Sequence, residues 1–255
     1  MEGIKHMKFV LDTHTHTIAS GHAYSTIHDY IEVAKKKGLE LVAFTDHGPA
    51  MPGGPNIFHI GNQRVIPREI DGVEILRGVE ANIIDYDGRI DISENYLKKL
   101  DLVLASLHDV CIEPGTREEN TRAFIKAMDN EYIDIIAHPG NPKFPINIDD
   151  FVLNAREKNK IIEINNSTFT NPGRSGSRDN CIMIARKAKE YGAFVVAGSD
   201  AHISFDVGNF QKSIEVFKLV EMPEELIMNT SKEKLKGYLK AKGKELQERT
   251  SISIR

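Results

Sequence analysis

Two histidines one residue apart, His14 and His16, close an apolar run, Phe9-Val10-Leu11. On a strand, residues i and i+2 face the same side, so the two imidazoles can be presented to one ion. The same event recurs along the chain: an apolar, strand-like run, then a His, Asp or Glu at its C-terminal end. Strand ends and the loops after them supply His14, His16, His22, His47, Glu80, His108, His138, Asp200 and His202. This set holds seven of the ten histidines in the chain. Buried imidazole nitrogens without partners are costly, and a shared metal cluster satisfies them together.

Nine ligands are too many for one ion. Zinc usually takes four, and a carboxylate can bridge two ions. Three divalent ions with Glu80 bridging is the natural count. Imidazole-rich ligation favours Zn, Mn or Fe over Mg or Ca, which prefer oxygen. Offset only by Glu80 and Asp200, such a cluster is strongly positive and draws an anion such as phosphate. Metal-bound water, its pKa lowered, is a nucleophile at neutral pH. Hydrolysis of a phosphoester by a metal-bridging hydroxide is therefore the expected reaction.

The elements that must position these groups follow from the rest of the pattern. Strand-like runs fall at residues 8–14, 40–44, 73–79, 101–105, 133–137, 160–164 and 193–197. Helical spacing falls at 25–34, with Ser25 as the expected cap, and at 118–130, 149–158 and 179–191. A helical tail is expected over 231–247, packed on the barrel or in an oligomer contact. This alternation predicts a parallel α/β sheet or barrel in one domain, for which 255 residues suffice. In such folds the site lies at the C-terminal ends of the strands, where the polar motifs of this chain occur.

Composition removes several function classes. The formal net charge is -4, so no global basic field points to nucleic acid or anionic membrane. No apolar run reaches bilayer length, and residues 1–8 lack the apolar core of a signal peptide. Two cysteines, Cys111 and Cys181, give no disulfide framework, and the expected compartment is the cytoplasm.

Substrate contacts are sought among basic and amide residues near the loops. Asn62, Arg64 and Arg68 follow the long second loop, Lys143 follows His138, and Arg174 and Arg178 follow the sixth strand. Arginine suits bidentate phosphate contact. Asp46 beside His47 and Asp12 near His14 are read as orienting carboxylates or as strand-end polar groups. Asn165 and Asn166 are read as site residues or as loop caps, His59 as a loop histidine near the mouth, and His6 and His28 as surface residues.

Asp12-Thr13-His14-Thr15-His16, Thr45-Asp46-His47-Gly48, Gly78-Val79-Glu80-Ala81-Asn82, His138-Pro139-Gly140-Asn141-Pro142 and Gly198-Ser199-Asp200-Ala201-His202 resemble the motifs of the PHP (polymerase and histidinol phosphatase) superfamily. The resemblance runs from about Phe9 to the C-terminal helical region and is closest to the YcdX-type stand-alone PHP phosphatases. His22-Ala23-Tyr24-Ser25, Glu163-Ile164-Asn165-Asn166-Ser167 and Asp179-Asn180-Cys181 are similar to theirs as well. It implies a distorted seven-stranded (β/α)7 TIM-like barrel in a single domain over 1–255, with a core at 8–219 and a helical tail at 223–250. It also implies a trinuclear, usually zinc, site. By motif, His14, His16, Glu80 and Asp200 would hold one ion. Glu80, His108 and His138 would hold the second, and His22, His47 and His202 the third.

The expected partner is a small phosphorylated substrate, with a homo-oligomer left open. A nuclease-like phosphodiesterase and a metal-binding domain without turnover are the alternatives. An amidohydrolase-type barrel also opens with His-x-His, but resembles a site bridged by a modified lysine on strand four, where this chain has His108.

Overall fold

The computed structural model describes residues 7–246 and 251–253. The strands are β1 (Leu11–Asp12), β2 (Leu41–Phe44), β3 (Glu69–Ile70), β4 (Val73–Asn82), β5 (Leu102–Ser106), β6 (Ile135–Ile136), β7 (Ile161–Asn165), β8 (Val195–Gly198) and β9 (Ser251–Ile252). The helices are α1 (Ile27–Lys37), α2 (Ile57–Asn62), α3 (Glu94–Leu97), α4 (Arg117–Ala127), α5 (Ile148–Glu157), α6 (Ser177–Tyr191), α7 (Gln211–Leu219) and α8 (Lys232–Ala241). Seven strands pair in parallel in the order β1-β2-β4-β5-β6-β7-β8 and curl into a nearly closed barrel ringed by helices. This is the expected α/β, TIM-like fold. Two short strands were not foreseen. β3 runs antiparallel to the start of β4, and β9 pairs with β3.

Strand residues alternate between two apolar faces, as the two-residue period dictates. Leu11, Leu41, Leu76, Leu102, Leu104, Ile135, Ile161 and Val196 form one cluster, which α8 enters through Leu235, Tyr238 and Leu239. Val42, Phe44, Ile75, Val103, Ile136, Ile162 and Val195 belong to the other, with α1 and α4 to α7. The first cluster is the barrel interior, and α8 plugs its N-terminal end. The Tyr238 hydroxyl lies 2.7 Å from Asn159 O and 3.2 Å from Asp134 O, just before β7 and β6. Lys242 and Lys244 reach the same Asp134 carboxylate.

Local signals hold with two differences: the cap of α1 moves by one residue, and the tail helix expected over 231–247 ends at Ala241, the described residues 242–246 being non-helical. Thr26, not Ser25, caps α1: its hydroxyl takes the Asp29 N–H while the Asp29 carboxylate takes the Thr26 N–H. Ser25 instead accepts from Ser204 N. Gly38, at φ 72°, ends the helix after three lysines. Among the described residues no helix is long and apolar enough to cross a membrane. His6 and residue 247 at the end of the tail lie outside the described residues.

The seam between β8 and β1 is closed mostly by groups outside the strand ladders. At its foot the Asn229 amide bonds Leu11 O (3.1 Å) and Ala197 O (2.8 Å), and its carbonyl takes Ala197 N–H (2.7 Å). Near its mouth, Asp200 N–H donates to His14 O and His16 N–H to Ala201 O. The buried Asp12 carboxylate accepts from Ser199 N and Gly208 N. Asn229 is fully buried. Asn229→Ala leaves one N–H and two carbonyls unpaired, at about 1–3 kcal/mol for each group so stranded. We expect a lower urea midpoint at unchanged m-value, a loss of about 3 kcal/mol in all. A loss below about 0.5 kcal/mol would mean that the seam does not depend on this side chain.

Candidate metal centre

Glu80, near the end of β4, is the hub. Its Oε1 lies 2.8 Å from His138 Nε2 and 3.5 Å from His108 Nε2. Its Oε2 lies 2.8 Å from His47 Nδ1, 3.3 Å from His14 Nε2 and 3.5 Å from His16 Nε2. Asp200 Oδ1 stands 3.3 Å from His16 Nε2 and 3.6 Å from His14 Nε2. His202 faces Asp200 on one side and His22 on the other, with Nε2 atoms 3.0 Å apart. All nine residues expected from the sequence thus lie in one cluster at the C-terminal mouth of the barrel.

The donor set fits divalent ions on a structural ground. His14 Nε2, His16 Nε2, His47 Nδ1 and Glu80 Oε2 are buried and have no hydrogen-bond partner. Such atoms are rare in folded proteins and call for an ion or water. Three groups bring their ligand atoms within 4.8 Å of one another: His14, His16 and Asp200; His47, Glu80 and His108; His16, His47 and His202. Burial alone would raise both carboxyls. The surrounding imidazoles, His14 first, overcome it and hold Glu80 and Asp200 well below the usual range. Burial lowers His16, His22 and His108, which favours the neutral ligand form. His14 is the exception: Glu163, Glu80 and Asp200 outweigh its burial and raise it.

Groups behind the imidazoles set their tautomers. His14 Nδ1 lies 2.7 Å from Glu163 Oε1, His108 Nδ1 2.8 Å from Asn82 Oδ1, and His202 Nδ1 3.0 Å from Asp200 O. Each partner is an acceptor, so each Nδ1 carries the proton and leaves the Nε2 lone pair for a ligand. His16 Nδ1 meets Ser20 Oγ at 3.1 Å, and that hydroxyl donates to Asp46 Oδ1 at 2.7 Å. The Ser20 oxygen therefore accepts from His16, with the same result. Asp46 accordingly orients His16 through Ser20 and bonds Thr17; it does not touch the ring of His47, beside which it stands in the sequence. Asp12 bonds backbone, including His14 N, and no imidazole.

Glu163, Ser20 and Asn82 were not singled out from the sequence. Glu163 had a signal: it is the one charge in the buried strand Ile161-Ile162-Glu163-Ile164-Asn165. Its second oxygen accepts from His138 N (2.9 Å) and Asn165 Nδ2 (3.1 Å). Gly198 makes room for it, since a Cβ there would meet Glu163 Oε1 at 1.8 Å. His138 and Asp200 adopt left-handed backbone, φ 33° and 53°, a strained conformation of the kind concentrated at functional sites.

A cleft of about 410 Å3 opens over the cluster. Of the basic and amide residues expected at substrate, Arg174 is there: its Nη1 is 3.2 Å from Asp200 Oδ2 and 3.3 Å from Thr168 Oγ1. The others are placed elsewhere. Arg68 pairs with Asp101 just before β5, Arg64 lies in the same lower cleft, and Asn62 lines a groove with Tyr96. This segment descends outside the barrel to reach β3, so it lies away from the mouth. Lys143 pairs with Asp109, and Arg178 is exposed at the start of α6. His59 touches Asp46 at 3.4 Å. Asn165 donates to Asp200 Oδ2 at 3.2 Å, whereas the Asn166 carbonyl caps α7 through Lys212 N and Ser213 N. Cys111 joins none of the three groups, and burial pushes its thiol up to about 11.

Glu163→Gln keeps the size of the side chain but cannot accept from both His14 and His138 N. Zinc affinity, read by chelator competition, should fall by about 10–100-fold. An unchanged affinity would show that His14 needs no carboxylate behind it.

The PHP domain family matches residues 12–167. A protein named "Probable phosphatase" from Caldanaerobacter subterraneus subsp. tengcongensis is 56% identical over 247 residues, covering 96% of this chain and 97% of its own. Another of that name, from Acetivibrio thermocellus, is 56% identical over 236 residues, covering 92% and 97%. Among solved structures, histidinol phosphate phosphatase from Lactococcus lactis, complexed with zinc, L-histidinol and phosphate, aligns over 82% of this chain and 93% of its own. Its TM-score is 0.55 at 16% identity, a likeness of fold. With the motif set, the barrel and relatives more than half identical along 97% of their length in agreement, the chain belongs to the PHP domain family.

Proposed function

We propose that this protein is a metal-dependent phosphatase acting on a small phosphomonoester, at a site for three divalent ions, zinc by the chemistry of its donors. The observation that carries the reading is the set of buried, unpartnered nitrogens and oxygens around Glu80. His14, His16, Glu80 and Asp200 would hold one ion, Glu80, His108 and His138 the second, and His22, His47 and His202 the third. Divalent ions at such a site supply Lewis acidity toward a phosphoryl group and acidify water. The relatives named phosphatase, and the zinc and phosphate in the Lactococcus lactis structure, support the same chemistry.

The chain's own residues do the rest. Glu163, Asn82, Ser20 and the Asp200 carbonyl keep the imidazoles aimed inward. Arg174 holds a guanidinium at the mouth, where it would bind a non-bridging phosphate oxygen. Among the described residues it is the only Arg or Lys lining the cleft. A nuclease would need cations tracking along a strand, so the monoester is favoured over the diester.

Zinc-loaded protein should hydrolyse an aryl phosphate, and a chelator should abolish turnover. His138→Ala should reduce kcat by at least about 100-fold, the scale of losing an electrostatic group at the reacting centre. Arg174→Ala should raise KM by about tenfold at unchanged zinc content, the worth of a charge-assisted hydrogen bond. Metal-dependent cleavage of a diester or oligonucleotide with no monoester turnover would overturn the monoesterase in favour of a nuclease.

A further inference from the structure

A second cleft, of about 450 Å3, lies at the foot of the barrel and shares no lining residue with the first. Arg64, Arg68, Arg77, Lys98 and Lys99 line it. Lys242 and Lys244, carried there by the end of α8, line it too. Against these stand Asp101, Glu131 and Glu245, in a chain whose net charge is -4. A local excess of positive charge in an acidic protein is not a by-product of composition.

Asp101 in the cleft, and Asp134, which holds two of its lysines, are already engaged. Asp101 takes Arg68 and the backbone N–H of Arg77. Asp134 takes Lys242 and Lys244. Arg64, Lys98 and Lys99 have no carboxylate partner among the described residues, and Lys99 lies over the Tyr96 ring at 5.6 Å. Arg68 is 8% exposed, and its Nε has no hydrogen-bond partner. A guanidinium so deeply buried and left with an orphan donor is costly unless a further acceptor arrives. Burial and then the neighbouring Arg68 pull Arg77 below its ordinary value, and burial does the same to Lys244. An anion would relieve both.

We propose that this cleft binds a small molecule carrying two or more phosphate groups. Guanidinium groups match phosphate oxygens in pairs, and ammonium groups add point charges around them. Seven lining cations exceed what one phosphate can engage. The site is separate from catalysis, and the proposal does not depend on the reaction assigned to the metal centre.

The test is calorimetric titration of pyrophosphate into zinc-loaded full-length protein, wild type beside an Arg64→Glu, Lys98→Glu, Lys99→Glu variant. These three side chains are exposed, so the fold tolerates their reversal. The expected result is two classes of binding in the wild type. The variant should lose one class, weakened at least tenfold, while keeping aryl phosphate turnover within about twofold; a chelator should remove the other class. Arg68→Met, with folding checked by its melting curve, should weaken the same class. A single class that is removed by chelation and unmoved by the charge reversals would overturn the proposal, as would no binding at all.

Discussion

One carboxylate among five imidazoles governs this structure. Glu80 is fully buried, and five ring nitrogens approach its oxygens within 3.5 Å. Taking a carboxylate out of water costs several kcal/mol unless its surroundings return it. Here the surroundings are neutral lone pairs as much as donors, because the outer nitrogens of His16 and His108 already hold their protons against acceptors. The inner nitrogens therefore point lone pairs at an anion. Protein groups alone leave that arrangement unsatisfied, and cations resolve it. The same logic explains why the support behind His14, His16, His108 and His202 is an acceptor: a donor there would turn the tautomer round and present N–H groups to the centre instead.

The barrel seam and the metal centre use the same backbone. The bonds that close β8 onto β1 at the mouth run between His14 and Asp200 and between His16 and Ala201. The side chains of His14, His16 and Asp200 form one of the candidate ligand groups. A loosened seam therefore displaces ligands, and a held cluster tightens the seam. Asp12 contributes from behind: its carboxylate bonds the N–H groups of His14, Ser199 and Gly208, fixing both sides of the seam at once. The left-handed backbone at Asp200 belongs to the same device, for it turns a side chain at the end of a short strand back over the barrel mouth.

The sequence makes the inward-facing ligands legible because a strand end is a local pattern. An apolar run stopping at a histidine needs no knowledge of what packs against it. The supporting residues depend on contacts across long sequence distances. Glu163 meets His14 across 149 positions, and Asn82 meets His108 across 26. Adjacency misleads in the same way: Asp46 stands next to His47 yet serves His16, because neighbouring side chains on an extended segment point to opposite faces. Arg64 and Arg68 show a different limit. They lie shortly before a strand start, and residues before a strand belong to the foot of a parallel barrel, but the short β3 that draws this segment down has only two residues and no pattern of its own.

The two ends of the barrel meet opposite physical demands. The mouth carries loops, strained backbone and unsatisfied nitrogens, all of which lower local stability and keep the groups available for chemistry. The foot carries what offsets this: an apolar plug from α8, and lysines held by carboxylate and carbonyl acceptors. Lys242 and Lys244 meet Asp134, while Lys160 donates to the carbonyls of Asn130 and Ile133. Asp134 begins this work from the backbone, taking Val103 N–H with its own carboxylate. A mutation in the plug would therefore be felt as stability first and activity second. A mutation behind the imidazoles would be felt the other way round, since those groups hold ligand geometry and contribute little to the apolar core.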